Sequence, residues 1–304
     1  MEATKKKKFL SSPMQRENFR LAILMLLPTV IILGLVAVYP PIRAFDISLH
    51  YNNLTRPDKG TPFIGLDNYR AVLNDPAFWS SVKTTAVFVV CSVSLVMVMA
   101  LLVALLLNKK FPGRSVIRAL MLVPWAIPSV VNGLIWLWIL NPSYGALNGL
   151  LSQLGIIDKY IVWLGNKNWA MFWIVVAEAW KETPFIMLNI LAALSTIPED
   201  LYEAAKVDGA TGVQSFFRIT LPIIKPTLFI CLTLRTIWAL KSFDLIYTLT
   251  AGGPGSSTTT VAYYTYQKTF TSLNLGRGSA AAWIMTAVMI GLTAVYQRML
   301  FKEN

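Results

Sequence analysis

The chain has 304 residues, of which 55% are AVILMFWYC and only 14% charged, with a formal net charge of +12 and a mean hydropathy of +0.56. An average soluble domain carries about 25% charged residues, and a water-soluble body of this size could not cover its surface with so few. Cys91 and Cys231 are the only cysteines and both lie in apolar runs, which excludes a disulfide-built secreted scaffold; the hydrophobicity excludes disorder.

In chain order, the apolar runs predict an all-α, polytopic membrane protein with about six transmembrane helices. The predicted spans are 21–41, 84–107, 116–140, 169–194, 227–249 and 280–300. The first follows Lys5–Lys8 but ends at Tyr39-Pro40-Pro41 rather than at a small-residue cleavage site, so it reads as a span and not as a cleaved signal. With the N-terminus inside, the cytoplasmic segments hold fifteen Lys and Arg, and the outside segments hold nine over a greater length. The positive-inside rule therefore places both termini in the cytoplasm. The tetralysine becomes an anchor on anionic membrane lipid, not a nucleic-acid arm. Residues 1–20 form a basic cytoplasmic N-terminus and 21–304 a single transmembrane domain.

Ionisable side chains inside spans are costly and mark function or pairing. In the third span, Trp125 and Asn132 lie among Pro124, Pro128 and Gly133. In the fourth, Glu178, Lys181 and Glu182 share one helix face, with Asn189 two turns deeper and Pro184 freeing carbonyls between them. In the fifth, Arg235, Trp238, Ser242 and Tyr247 join Lys241 and Asp244, spaced i, i+3. Aromatic planes beside carboxylates and hydroxyls suit a sugar, which offers a C–H face and a ring of hydroxyls. The same charges could neutralise one another inside the bundle. Trp136, Trp138, Trp163, Trp169 and Trp283 fall near span ends and read as interface-belt anchors.

The cytoplasmic loop 195–226 carries helix punctuation of its own. Pro198 suits a first helical position, Glu199 and Asp200 complement the positive helix end, and Gly209 suits a left-handed exit. Leu201, Ala204, Ala205 and Val207 give a small apolar face. Such an elbow fits the groove of another protein or rests on lipid headgroups. No GxxxxGK[ST] phosphate loop and no GxSxG elbow occur, and His50 is the only histidine and stands in an outside loop. These absences predict neither a catalytic nor a metal site, and a chain that is not an enzyme.

Glu203-Ala204-Ala205, Gly209 and Ile219-x-Leu221-Pro222 match the EAA motif of binding-protein-dependent ABC importer permeases. The stretches Phe243–Pro254, Phe63–Tyr69 and Gly276–Ala280 resemble the carbohydrate-type, MalF-like subfamily. The resemblance implies the MetI/MalF-like permease fold and a docking role for Glu203, Ala204, Ala205, Gly209, Ile219, Leu221 and Pro222. It also implies a second, MalG-like permease subunit, two cytoplasmic ATPase subunits that hold ATP and Mg, and an extracytoplasmic binding protein. This chain itself would bind no cofactor. The implied cargo is a sugar or oligosaccharide, although related permeases carry glycerol-3-phosphate, and Arg235 with Lys241 could serve a phosphate. An ion-coupled secondary transporter using Glu178, Lys181 and Glu182 as a relay is the rival from another class.

Overall fold

A computed structural model describes residues 13–301; the tetralysine anchor lies outside the described residues. The chain is helical, and no β-strand occurs among the described residues. Among the described residues, four helices are long and apolar enough to span a membrane singly, and two bent helix pairs raise the number to as many as six if each pair is one span.

Helices α1 (Pro13–Leu33) and α2 (Tyr39–Ser48) join through a π turn at Gly34–Val38 into one long rod. The prolines expected to end this span do not. The amide of Tyr39 reaches back five residues to the Gly34 carbonyl, and this wider turn accommodates Pro40 and Pro41, which have no N–H to place. None of the rod's apolar window is buried within this chain.

Helix α3 (Asp67–Leu73) leads into α4 (Pro76–Asn108). Asp75 caps α4, accepting from the Ala77 amide at 2.9 Å. The main packing is α4 against α9 (Lys167–Leu194). Ala100 and Ala104, one turn apart, let the backbones approach, and Val96 and Leu107 pack with Ile186, Met187, Ile190 and Leu194.

The third predicted span is broken. Arg114–Ala126, comprising α5 (Arg114–Met121) and α6 (Val123–Ala126), meets α7 (Ser129–Ile139) at 96°. Pro128 forces Ile127 into extended backbone (φ −75°, ψ 131°) and removes an amide that a straight helix would need. The predicted fifth span is also shorter than 227–249. Its helix α12 (Leu221–Leu240) ends before Lys241–Phe243, and a separate α13 (Asp244–Leu249) packs on α7. By contrast, α9 runs unbroken through Pro184.

Between α7 and α9 lies the short helix α8 (Ala146–Gln153). Trp163, expected at the membrane interface, is buried and donates from Nε1 to Asn148 Oδ1 at 3.0 Å, so it belongs to the core. Trp136 likewise packs against that core beside Trp173. The final helices are α14 (Val261–Tyr266) and α15 (Leu275–Phe301). The outer stretches 63–69 and 276–280 meet. Asn68 Nδ2 donates to the Ser48 and His50 carbonyls at 2.8 Å each. A Cβ at Gly276 would stand 2.8 Å from that same nitrogen.

Candidate functional site

Two places collect the residues singled out by sequence. The first is the helical elbow within residues 195–226. Helix α10 (Glu199–Val207) leaves α9 at 69°. Pro198 is its extended N-cap residue rather than its first helical residue, so the helix opens on Glu199. Glu199 accepts from Lys110 Nζ at 2.5 Å, which ties α10 to the inner end of α4 and holds the Glu199 carboxyl below its ordinary range. Gly209 takes φ +76°, with its amide on the Lys206 carbonyl and the Ala210 amide on Ala205.

The chain then re-enters helix at α11 (Gly212–Ser215), capped by Thr211 and Gln214, and runs through a π turn at Phe216–Thr220 into α12. Ile219 packs against the α4–α9 core, and Leu221 and Pro222 open α12. The Tyr202 hydroxyl lies 2.9 Å from Thr220 Oγ1, so α10 is clamped to the root of α12. Glu203 and Ala204 face outward and Ala205 is half-buried. Val207 is 87% exposed, and exposed Val213 and Phe217 line an open groove of about 900 Å³ together with Tyr202, Lys206 and Phe216.

The second place is a cavity of about 280 Å³ where α9, α12, the 241–243 break and the start of α7 converge. It is lined by Glu178, Glu182, Arg235, Trp238, Lys241, Ser242 and Asp244, together with Ser129, Phe243 and Leu245. Arg235 is fully buried and donates from Nη2 to Glu178 Oε1 at 2.7 Å. Lys181 pairs instead with Glu182 at 2.9 Å. Glu178, Lys181 and Glu182 therefore do not neutralise one another as a closed set, because Glu178 finds its cation on another helix. Nor are Lys241 and Asp244 a helical i, i+3 pair, since the helix ends between them. Nε and Nη1 of Arg235 have no hydrogen-bond partner.

The remaining candidates, Asn189, Asn132, Trp125 and Tyr247, do not line this cavity, and neither does Lys181. Asn189 turns its amide back to the Phe185 carbonyl at 2.8 Å. Asn132, fully buried, donates to the Ala177 carbonyl at 3.2 Å and ties α7 to α9. Trp125 stacks on Phe185 at 5.3 Å, and Phe185 meets Trp238 at 5.2 Å. Tyr247 stacks on Phe243 at 5.4 Å. Ser129, Phe243 and Leu245 were not among the site candidates, although Phe243 and Leu245 fall in the stretch 243–254 that carries the carbohydrate-type resemblance.

A bundle of membrane-length helices, broken around a polar cavity and carrying a helical elbow on one side, defines a membrane transport subunit. The chain belongs to the family of binding-protein-dependent transport system inner membrane components, whose family model matches residues 96–301. It is 43% identical over 92% of its length to the sulfoquinovosyl glycerol transport system permease protein SmoG of Agrobacterium fabrum, covering 90% of that protein. It is 42% identical over 94% of its length to the trehalose/maltose transport system permease protein MalF of Thermococcus litoralis, covering 96% of it. A crystal structure of a bacterial alginate ABC transporter in complex with an alginate pentasaccharide-bound periplasmic protein superposes with a TM-score of 0.80 at 27% identity. That match covers 93% of this chain and 94% of the other. The chain is thus an ABC importer permease, a transport component and not an enzyme.

Proposed function

We propose that this permease forms part of the translocation path for a sugar or oligosaccharide, as one transmembrane domain (21–304) whose loop 195–226 couples it to ATPase subunits. The observation that carries the reading is the cavity: Trp238 and Phe243 offer planes to sugar C–H faces, while Glu178, Glu182, Ser242 and Asp244 offer acceptors to hydroxyls. The names of SmoG and MalF, both glycoside permeases, support it.

The partners follow from what the chain leaves open. The α1–α2 rod buries none of its apolar window here, which supports a second permease subunit alongside it. The exposed Glu203 and Ala204, with Gly209 at the turn, suit the cleft of a cytoplasmic ATPase; ATP and Mg belong to two such subunits. An extracytoplasmic binding protein delivers cargo to the outer loops, and both termini are cytoplasmic. ATP-driven closure of the ATPases would move α10. The Tyr202–Thr220 contact and the continuous α11–α12 helix would pass that motion to Arg235 and Trp238 at the cavity.

A second reading has its own observation. The unpartnered nitrogens of Arg235, with Lys241 on the same cavity, could seat an anionic head such as a sulfonate or a glycerol phosphate. Uptake by vesicles holding the whole complex, driven by internal ATP or by an ion gradient alone, tests the class. A panel of trehalose, maltose, sulfoquinovosyl glycerol and sn-glycerol-3-phosphate tests the cargo. Gradient-driven uptake without ATP would overturn the coupling, and preference for sn-glycerol-3-phosphate would overturn the sugar.

A further inference from the structure

Phe243 lines the cavity and also begins a row of rings that leaves it. Its ring lies 5.4 Å from Tyr247, stacked at 28°, and 4.9 Å from Tyr266. Tyr266 lies 5.4 Å from Tyr247 and 5.3 Å from Phe270, in the π turn that follows α14. Tyr247 is 45% exposed and Phe270 is 66% exposed, so the row is open to a ligand along its outer side.

Isolated Tyr and Phe near a membrane boundary anchor in the headgroups one by one. This row differs in being contiguous. Each ring contacts the next, the positions come from α13, α14 and the 241–243 break, and the inner end lies on the polar cavity. Rings in contact, one pair stacked and the others tilted or edge-on, offer several planes to the C–H faces of pyranose rings, and spacing near one ring width lets a sugar shift from one to the next.

We propose that Tyr247, Tyr266 and Phe270, bridged by Phe243, form an outer stacking subsite for a pyranose ring, from which the sugar passes to Trp238 in the cavity. This rests on the sugar reading above and extends it to residues outside the cavity. The outer subsite holds the end of a cargo too long for the cavity, so its contribution grows with the number of sugar rings.

The test is ATP-driven uptake of maltose, maltotriose and maltotetraose by vesicles carrying the complete complex and its binding protein, normalised to assembled complex. Tyr266→Ala and Phe270→Ala should each lower initial uptake by about three- to tenfold, the worth of one aromatic contact. The loss should deepen from maltose to maltotetraose, and Tyr266→Phe should restore most of it. Uptake per complex unchanged in both alanine variants, with less protein inserted, would assign the row to the lipid boundary and overturn the subsite. A loss independent of sugar length, or one not rescued by Tyr266→Phe, would overturn it too. A wild-type complex that carries none of the three sugars would strike the sugar reading itself, before any variant is compared.

Discussion

Arg235 on α12 and Glu178 on α9 meet at 2.7 Å, 57 residues apart in the chain, with the arginine fully buried. Removing either partner strands a charge in a low-dielectric interior, which costs about 3–5 kcal/mol, whereas removing both leaves none. Arg235→Met and Glu178→Leu should each lower the yield and thermal stability of the assembled complex. The double variant should regain most of that stability, although not transport. A double variant as unstable as the singles would show that the pair does not act by mutual neutralisation. Lys181→Met should not rescue Glu178→Leu, because Lys181 is engaged with Glu182.

The elbow depends on one backbone angle. Gly209 sits at φ +76°, and a Cβ there meets nothing within 4 Å, so the constraint is conformational and not steric. A β-branched residue in this region costs about 1–2 kcal/mol. Asparagine tolerates it. Gly209→Val should insert normally but lose roughly tenfold of ATP-coupled uptake, and Gly209→Asn should keep most of it. Equal uptake in both would mean that the turn is not what the docked partner reads.

Much of this architecture is legible in sequence because it is written in runs and punctuation. Apolar lengths mark the spans, and Gly209 and the acidic start of α10 mark the elbow. What sequence cannot supply is facing. The partner of Glu178 is a long-range contact invisible to i, i+4 logic, and the Lys241–Asp244 spacing has meaning only if the helix continues, which it does not. Trp163 was misplaced because nearness to a span end says nothing about Asn148, whose side chain accepts its indole N–H. The π turn that carries Pro40 through the first span escapes any rule that treats proline as a stop.

Burial also decides how orientation should be measured. Thr258 lies in a polar loop, yet it is 0% exposed and bonded to the Gly253 carbonyl and Thr250. A cysteine there should resist an impermeant thiol reagent even when it faces outside. Ser256 and Ser272 are exposed on the same segment, and Ser215 is half-buried on the elbow. In a background lacking Cys91 and Cys231, cysteines at Ser256 and Ser272 should label in intact cells and one at Ser215 only after permeabilisation. Outside labelling at Ser215 would invert the topology.

Asp75 joins three elements outside the spans. It caps α4, accepts from the Tyr264 hydroxyl at 2.8 Å and pairs with Lys268 at 2.9 Å. Partial burial pushes its carboxyl up, but the Lys268, Tyr264 and Ala77 hydrogen bonds outweigh this and hold it below its ordinary value of 3.8. A lowered value means that the charge stabilises the fold above 3.8, and that this contribution drains away as pH falls through the folded value. Asp75→Ala should cost about 1 kcal/mol near neutral pH from the lost cap alone. The difference in melting temperature from wild type should narrow as pH falls below 3.8. A gap that stays constant through that range would assign the effect to shape and not to charge.

Gly133 explains how the broken third span closes on α13. A Cβ built there would lie 1.8 Å from Thr248 Oγ1 and 2.8 Å from Thr248 Cβ. The threonine cannot readily swing aside, because its hydroxyl is bonded to the Asp244 carbonyl at 2.7 Å and also reaches that of Leu245. Gly133→Ala therefore has to push α7 and α13 apart, an overpacking cost of about 1–3 kcal/mol, and α13 carries Asp244 and Leu245 on the cavity wall. The variant should melt earlier and transport more slowly. Thr248→Ala removes the closest atom but keeps the Cβ at 2.8 Å, so the pair Gly133→Ala with Thr248→Ala should recover part of both losses. If Thr248→Ala gives no recovery, the two helices are not held at this distance by the glycine, and the cavity wall is set elsewhere.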